Sequence, residues 1–426
     1  MAEEVRQDRT IHWAWVILMV CFLNLFINYG IRLGYSIVLP EIIRTMGLTR
    51  RQGGDIFNAF FFSYISLSPF VGYLTDRFGA RRIISLFGGL LGIGTFLLGT
   101  ANSYWQGCAF FAIVGMGASA MWTPTLTIVQ RWFSLKRRGM ALGILTVGSG
   151  FGLAVMGKVF PLIVAEWNWR YCWYFLGVAA LLMVLANAVL LRSKPEDMGL
   201  QPWDEELKDA SVSQAQREIP ITTKPYSEIL STSRFWIIGF SYLFIAACVY
   251  SVTTYMVDYA RYNLGFPYEK ASSLATIHGL GQIVGVLIIP LISDYIGRRL
   301  TIILSNTLMA ASIASIILSG PNPFWLPASV GIFGAFFGAT FPLYGACGGD
   351  YFRKELMGSV IGAWIPFYGV GAIGGNRMAG YLRDVTGSFI IPFLIAILMA
   401  LVASSLMFFV RYQRASEGVP LTPKPS

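Results

Sequence analysis

Charge is what this sequence has least of. Asp, Glu, Lys and Arg together make up 13% of its 426 residues, against roughly 25% in a soluble domain, which argues against a water-soluble globule. Histidine occurs only 2 times, and no His, Cys, Asp and Glu residues gather at the spacing of a metal site. The 5 cysteines, Cys21, Cys108, Cys172, Cys248 and Cys347, all fall inside apolar stretches. There a thiol packs as a small apolar group, and no disulfide framework is expected. The sequence has no G-x-x-x-x-G-K-[ST] loop, which argues against ATP-driven pumping. It has no compact nucleophile–base arrangement either, so an enzyme is not expected and no cofactor is called for. No cleavable signal peptide is evident, and none is expected. The chain is polar and of mixed charge up to Thr10, and Trp13 and Trp15 read as interfacial anchors of a first membrane helix.

Apolar sequence fills the space, at 55% of residues. About twenty consecutive apolar residues span a bilayer. About twelve such stretches are present, near 13–40, 54–74, 82–101, 105–130, 139–164, 170–191, 235–260, 271–292, 300–319, 323–347, 357–381 and 388–411. The expected fold is an all-α membrane protein with twelve transmembrane helices in two pseudo-symmetric six-helix bundles. Residues 1–192 form the N-terminal half, 193–234 a cytoplasmic linker, 235–412 the C-terminal half and 413–426 a cytoplasmic tail. The linker is the longest polar stretch and carries the charged run Trp203-Asp-Glu-Glu-Leu-Lys208, while the Pro-rich tail from Gly418 reads as disordered.

The halves repeat each other. Gly72-Tyr-Leu-Thr-Asp76-Arg77-Phe-Gly79-Ala-Arg81 has a degenerate copy in Leu291-Ile-Ser-Asp294-Tyr-Ile-Gly297-Arg298-Arg299. Asp76 and Asp294 are 218 residues apart, as are Gly79 and Gly297, Arg81 and Arg299, Pro124 and Pro342, and Gly47 and Gly265. After one residue of slippage, an offset of 219 aligns Trp132-Phe133 with Tyr351-Phe352, Gly139 with Gly358, Gly143 with Gly362, Gly150 with Gly369 and Gly152 with Gly371. A duplicated helical bundle points to a carrier with its site between the halves.

The net charge of +10 sorts by loop. With both termini in the cytoplasm, 22 of the 32 basic residues lie inside and 7 lie outside, namely Arg44, Arg50, Arg51, Arg170, Arg261, Lys270 and Arg383. This positive-inside bias explains the basicity in a cell-membrane protein, and no nucleic-acid partner is needed.

The paired loop motifs, Gly72-x-Leu74-x-Asp76-Arg77-x-Gly79-x-Arg81 and its copy, resemble those of major facilitator superfamily transporters, and the likeness covers essentially the whole chain. It implies alternating access by a monomer, with this loop joining the halves on the cytoplasmic side. Asp76, Arg77, Arg81, Asp294 and Arg298 are therefore read as gate residues. A narrower likeness, to bacterial carriers of monocarboxylates and related organic anions, rests on two segments. One is Gly115-x-Gly117…Pro124…Trp132-Phe133…Arg137-Arg138-Gly139-x-Ala141-x-Gly143. The other is Asn28-Tyr29-Gly30-Ile-Arg32-Leu-Gly34-Tyr35-Ser36, followed by Pro40-Glu41. It implies a small organic anion as cargo, a proton as coupling ion and residence in the cell inner membrane. Two departures stand out. The eighth span lacks the Arg of animal monocarboxylate carriers and carries His278 and Gln282, and Gly148-x-Gly150-x-Gly152 runs on without the Gly-Pro of drug antiporters.

Three basic residues remain inside the spans: Arg32, Lys158 and Arg377. A charge at membrane depth is costly and usually faces a cavity. Arg32 has Asn28, Tyr29, Tyr35 and Ser36 around it, and positions 28, 32, 35 and 36 share one helical face. A guanidinium there either captures a carboxylate at two points or snorkels to the outer headgroups. Lys158 is either a second anion contact or a lysine reaching outward past Pro161. Arg377, beside Asn376 and near Asp384, reads as part of an outer gate. His278, with Gln282 at i+4, is either a proton or substrate contact or a buried, hydrogen-bonded histidine. Asp258, after Tyr250, Ser251, Thr253, Thr254 and Tyr255, is the best carboxylate for proton coupling, and it can equally pair with Arg261. Trp122, Tyr250, Trp364 and Tyr368 are candidate cavity walls, with Tyr250 counted among the substrate contacts.

Three functions compete on these observations. A proton-driven carrier of small organic anions accords with basic intramembrane charge. An efflux carrier for amphipathic or neutral compounds would make Arg32 dispensable. A membrane sensor would need a larger output segment than residues 193–234 provide.

Overall fold

The computed structural model describes residues 12–134, 136–204, 229–352 and 356–410. The tail assigned to 413–426, the linker residues 205–228 and the side chain of Asp76 lie outside the described part.

The N-terminal half comprises α1 (Trp13–Met46), α2 (Arg50–Phe78), α3 (Ala80–Thr100), α4 (Tyr104–Ala118), α5 (Thr123–Trp132), α6 (Arg138–Glu166) and α7 (Trp169–Leu190). The C-terminal half comprises α8 (Ser233–Thr253), α9 (Met256–Tyr262), α10 (Tyr268–Ile296), α11 (Arg298–Ser319), α12 (Trp325–Tyr351), α13 (Met357–Thr386) and α14 (Ile390–Phe408). α4 with α5, and α8 with α9, each make one span, so the chain crosses twelve times. Among the described residues eleven spans are long and apolar enough for a bilayer by length and composition. The twelfth is α13, whose 30 residues include Asn376, Arg377 and Arg383. An even number of spans puts residues 12 and 410 on one side, called here the terminal side. The other side is the distal side.

Local sequence sets the helix ends. Thr49 and Gln52 form a reciprocal capping box at the start of α2. Gly79 and Gly297, equivalent in the repeat, have φ of 84° and 89° and turn the chain sharply between α2 and α3 and between α10 and α11. An L side chain is strained at such angles, so the repeated glycine is a geometric requirement.

Packing repeats with the sequence. α1 lies on α6 as α8 lies on α13, and α3 lies on α7 as α11 lies on α14. The halves meet mainly where α6 crosses α10 and α2 crosses α13. Small residues allow the first approach: a Cβ on Gly150 would lie 2.7 Å from the carbonyl oxygen of Gly279. Two spans break the symmetry. α4 ends at Ala118 and α5 restarts around Pro124, whereas the equivalent Pro342 lies inside an unbroken α12. α8 ends at Thr253 and α9 restarts at Met256, whereas α1 is continuous. The second break adjoins the distal end of α2, where the Tyr255 hydroxyl donates to the Arg50 carbonyl.

The start of the linker folds back on the N-terminal half. The Trp203 N–H donates to the Trp132 carbonyl at 2.9 Å, and the Ser134 N–H donates to the Trp203 carbonyl at 3.1 Å. The Trp203 ring packs edge-on against Trp15 and Phe133. Arg137 pairs with Asp204 at 2.6 Å, and its guanidinium holds that carboxyl below the ordinary range.

Candidate functional site

Arg32 lies near the middle of α1 and is 5% exposed. Its guanidinium is enclosed by rings from both halves. The centroids of Tyr29, Phe60, Phe61, Tyr64 and Tyr250 lie 5.5, 5.6, 4.9, 5.7 and 5.6 Å from Cζ. These distances are in the range of cation–π attraction, which offsets part of the cost of desolvating the charge. Nη2 donates to the Tyr250 hydroxyl at 2.5 Å, while Nε is buried without a protein partner. One turn earlier, Oδ1 of Asn28 is also buried and unpartnered. The Tyr368 hydroxyl donates to that of Tyr250 at 3.4 Å. Tyr250 follows Arg32 by 218 residues, the offset of the repeat, so equivalent positions of the two halves meet here.

The other residues expected around Arg32 are placed unevenly. Tyr29 is in the cage and touches Trp122, which meets Phe341 of the opposite half at 5.0 Å between centroids. Ser36 is buried one turn beyond and donates to the Leu33 carbonyl. Tyr35 points the other way. It stacks on Phe57 and Phe111 inside the N-terminal half and donates to the Gly53 carbonyl at 2.8 Å. Lys158 is exposed on α6, apart from the cage. The helical-face argument failed for Tyr35 because α1 is buried on all sides at that depth.

His278 and Gln282 are buried on α10, each with Nε2 unpartnered. The His278 ring packs against Phe333 and Phe337, and Phe337 in turn touches Tyr250. His278 therefore stands one aromatic layer behind the cage. Trp364 is packed within the C-terminal half, where its indole N–H donates to the Phe235 carbonyl.

The distal side is closed by charge pairs between the halves. Asp258 does not pair with Arg261. It accepts from Nε of Arg50 at 3.2 Å, and its other oxygen is buried and unpartnered. Arg261 instead pairs with Glu41. Arg377 reaches Asp55 at 3.2 Å, and Asp384 accepts from the first backbone N–H groups of α2, at Arg50 and Arg51. Beneath these pairs, Asn376 Nδ2 donates to Asn58 Oδ1 at 3.2 Å, and Thr254 donates to Asn376 Oδ1 at 2.6 Å.

On the terminal side the repeated loops bond within their own halves. Arg81 donates to the Ala188 carbonyl, and its equivalent Arg299 donates to the Met407 and Phe408 carbonyls. Arg77 donates to the Tyr73 hydroxyl, and Arg298 pairs with Asp350 at 2.5 Å and Asp294 at 3.2 Å. The bonds described for these gate residues thus cap helices of one bundle and do not tie the two halves. With the distal side sealed and these loops bonded locally, the conformation is closed distally.

Sequence reading missed Phe60, Phe61 and Tyr64 of the cage. Their spacing in α2 places them along one helical face, a signal that was present in the sequence. It was hidden among aromatic residues that make up 15% of the chain. Glu41, Arg50 and Asp55 were not read as partners across the halves, because Arg261, Asp258 and Arg377, with which they pair, are distant in sequence.

A duplicated twelve-helix bundle with a buried charge between its halves defines a membrane carrier. The chain matches the Major Facilitator Superfamily over residues 21–275 and 256–426 and belongs to that family. It is a multi-pass secondary transporter, not an enzyme. It is 24% identical over 392 residues to the probable sulfoacetate transporter SauU of Cupriavidus necator, covering 89% of this chain and 90% of that protein. It is 24% identical to the probable galactarate/D-glucarate transporter GarP of Escherichia coli strain K12, covering 90% and 91% of the two chains. It is 25% identical to monocarboxylate transporter 12 of Xenopus laevis, covering 90% and 85%. Among solved structures, its fold is similar to a bacterial homologue of the human lysosomal transporter Spinster, with TM-score 0.71, 15% identity and coverage of 94% and 97%. It is also similar to a D-xylose-proton symporter, with TM-score 0.70, 15% identity and coverage of 94% and 99%.

Proposed function

We propose that this chain carries small organic anions, monocarboxylate-like in kind, across the cell membrane together with a proton. It acts as a monomer by alternating access, with both termini in the cytoplasm. The observation that carries the reading is Arg32, a guanidinium buried between the halves with rings and the Tyr250 hydroxyl around it and Nε unpartnered. A buried charge with no counter-charge costs several kcal/mol, so a charge kept there is best explained by a ligand that neutralises it. A carboxylate fits the planar fork at two points. The names of the relatives in Cupriavidus necator, Escherichia coli and Xenopus laevis support an organic anion. The charge count supports a monoanion, because Lys158 lies on the surface, Arg377 is paired with Asp55, and His278 stands behind Phe337. Asp258, with one free oxygen, and His278 are the groups to which a coupled proton is assigned.

Binding to the purified protein tests this. Arg32→Ala should abolish carboxylate binding, and Arg32→Lys should weaken it by roughly 1.5–3 kcal/mol, because charge is kept but the two-point geometry is lost. Wild-type affinity in Arg32→Ala would shift the weight to efflux of amphipathic compounds, the one alternative that the aromatic lining favours. Coupling is tested by uptake, which should rise as external pH falls and collapse with a protonophore.

A further inference from the structure

The bond between Arg32 and Tyr250 joins the two halves at the centre of the carrier, and both side chains are almost wholly buried, at 5% and 1% exposure. A guanidinium there needs acceptors, and leaving its N–H groups bare is unfavourable. The Tyr250 hydroxyl supplies one acceptor where, among the described residues, no carboxylate pairs with Arg32. It also has a second partner in reach, the Tyr368 hydroxyl at 3.4 Å on its own half. We propose that Tyr250 is a resident stand-in for the substrate carboxylate. In the unloaded carrier its hydroxyl oxygen accepts from Arg32, and when an acid binds, the carboxylate takes that N–H while Tyr250 turns to Tyr368. This deepens the anion reading and rests on it.

The consequence concerns the return stroke. A net transporter must reorient empty once per cycle, and an unsatisfied guanidinium at the midplane opposes that step. With Tyr250 in place the empty carrier keeps Arg32 satisfied. Without the hydroxyl, the loaded carrier still crosses and the empty one is held back.

The test uses the full-length carrier in proteoliposomes, with labelled lactate and labelled benzoate as probes. Tyr250→Phe keeps the ring that packs on Phe61 at 4.7 Å between centroids and removes the hydroxyl alone. The expected result is retained exchange of internal for external acid and binding up to about tenfold tighter, because a competitor hydrogen bond is gone. Net uptake into acid-free vesicles should fall about tenfold or more. Equal losses in affinity, exchange and net uptake would make Tyr250 an ordinary substrate contact and overturn the inference. Net uptake at the wild-type rate would overturn it too. Arg32→Ala separates the two ideas. If it binds acid as wild type does, or if wild type binds neither acid, the anion reading fails and takes this inference with it. If Arg32→Ala loses binding while Tyr250→Phe transports like wild type, only the role of Tyr250 fails.

Discussion

Asp258 keeps one oxygen against Arg50 at 3.2 Å and leaves the other buried without a partner. That makes it a weakly tied half of a bond across the two bundles. Asp258→Asn keeps the shape and removes the charge. It should favour opening of the distal side by about 1–3 kcal/mol, the scale of a charge-assisted hydrogen bond, and flatten the dependence of uptake on external pH. Labelling of a cysteine introduced near Arg50 reads the first effect, and a pH series of uptake reads the second. An unaltered pH series would take Asp258 out of coupling. At this scale the sequence was partly legible. Arg32 stood out because a lone cation inside an apolar span is costly and rare. The part of its cage on α2 did not, because Phe60, Phe61 and Tyr64 look like any lipid-facing aromatic residues until α8 is placed opposite them.

Among the elements, the two glycine turns carry a clear expectation. Nothing lies within 4 Å of a Cβ built on Gly297, so Gly297→Ala meets no steric clash and costs only its φ of 89°. The loss should be about 1–2 kcal/mol, read as a lower melting temperature in detergent. An unchanged melting temperature would mean that the turn relaxes. Asp76→Asn in the partner loop should slow transport strongly with affinity kept within a few fold, and near-normal turnover would leave that loop a topological signal only. The helices themselves were legible from apolar length and from the repeat. The breaks were not. The single spans expected at 105–130 and 235–260 are present, but within them α4 stops at Ala118 and α8 at Thr253. The second break is held by contacts distant in sequence: Thr254 donates to Asn376, and the Tyr255 hydroxyl donates to the Arg50 and Asn376 carbonyls. No local pattern announces bonds of that kind.

For the whole molecule, the duplicated sequence was enough to specify two bundles, but not which side is shut. The conformation follows from pairs such as Glu41–Arg261 and Asp55–Arg377, whose partners lie in different halves. Locking that closure tests alternating access. Asn58 and Asn376 touch at 3.2 Å across the halves. Cysteines at both positions, once oxidised, should stop transport, and reductant should restore it. Transport that persists with the crosslink formed would show that the distal side need not open. Among the native thiols, Cys21, Cys172, Cys248 and Cys347 are buried, so interference from them should be small.

Duplication placed unlike residues at equivalent positions, a cation in one half and a phenol in the other. On the proposed anion reading, recognition of charge belongs to the first half of the chain, and the C-terminal half is left to meet the body of the cargo. The two traits can drift separately. A descendant could come to accept a bulkier or more polar acid through changes around Tyr250 and Phe337 alone, with its requirement for a carboxylate intact. In a symmetric carrier any such change would disturb both traits at once.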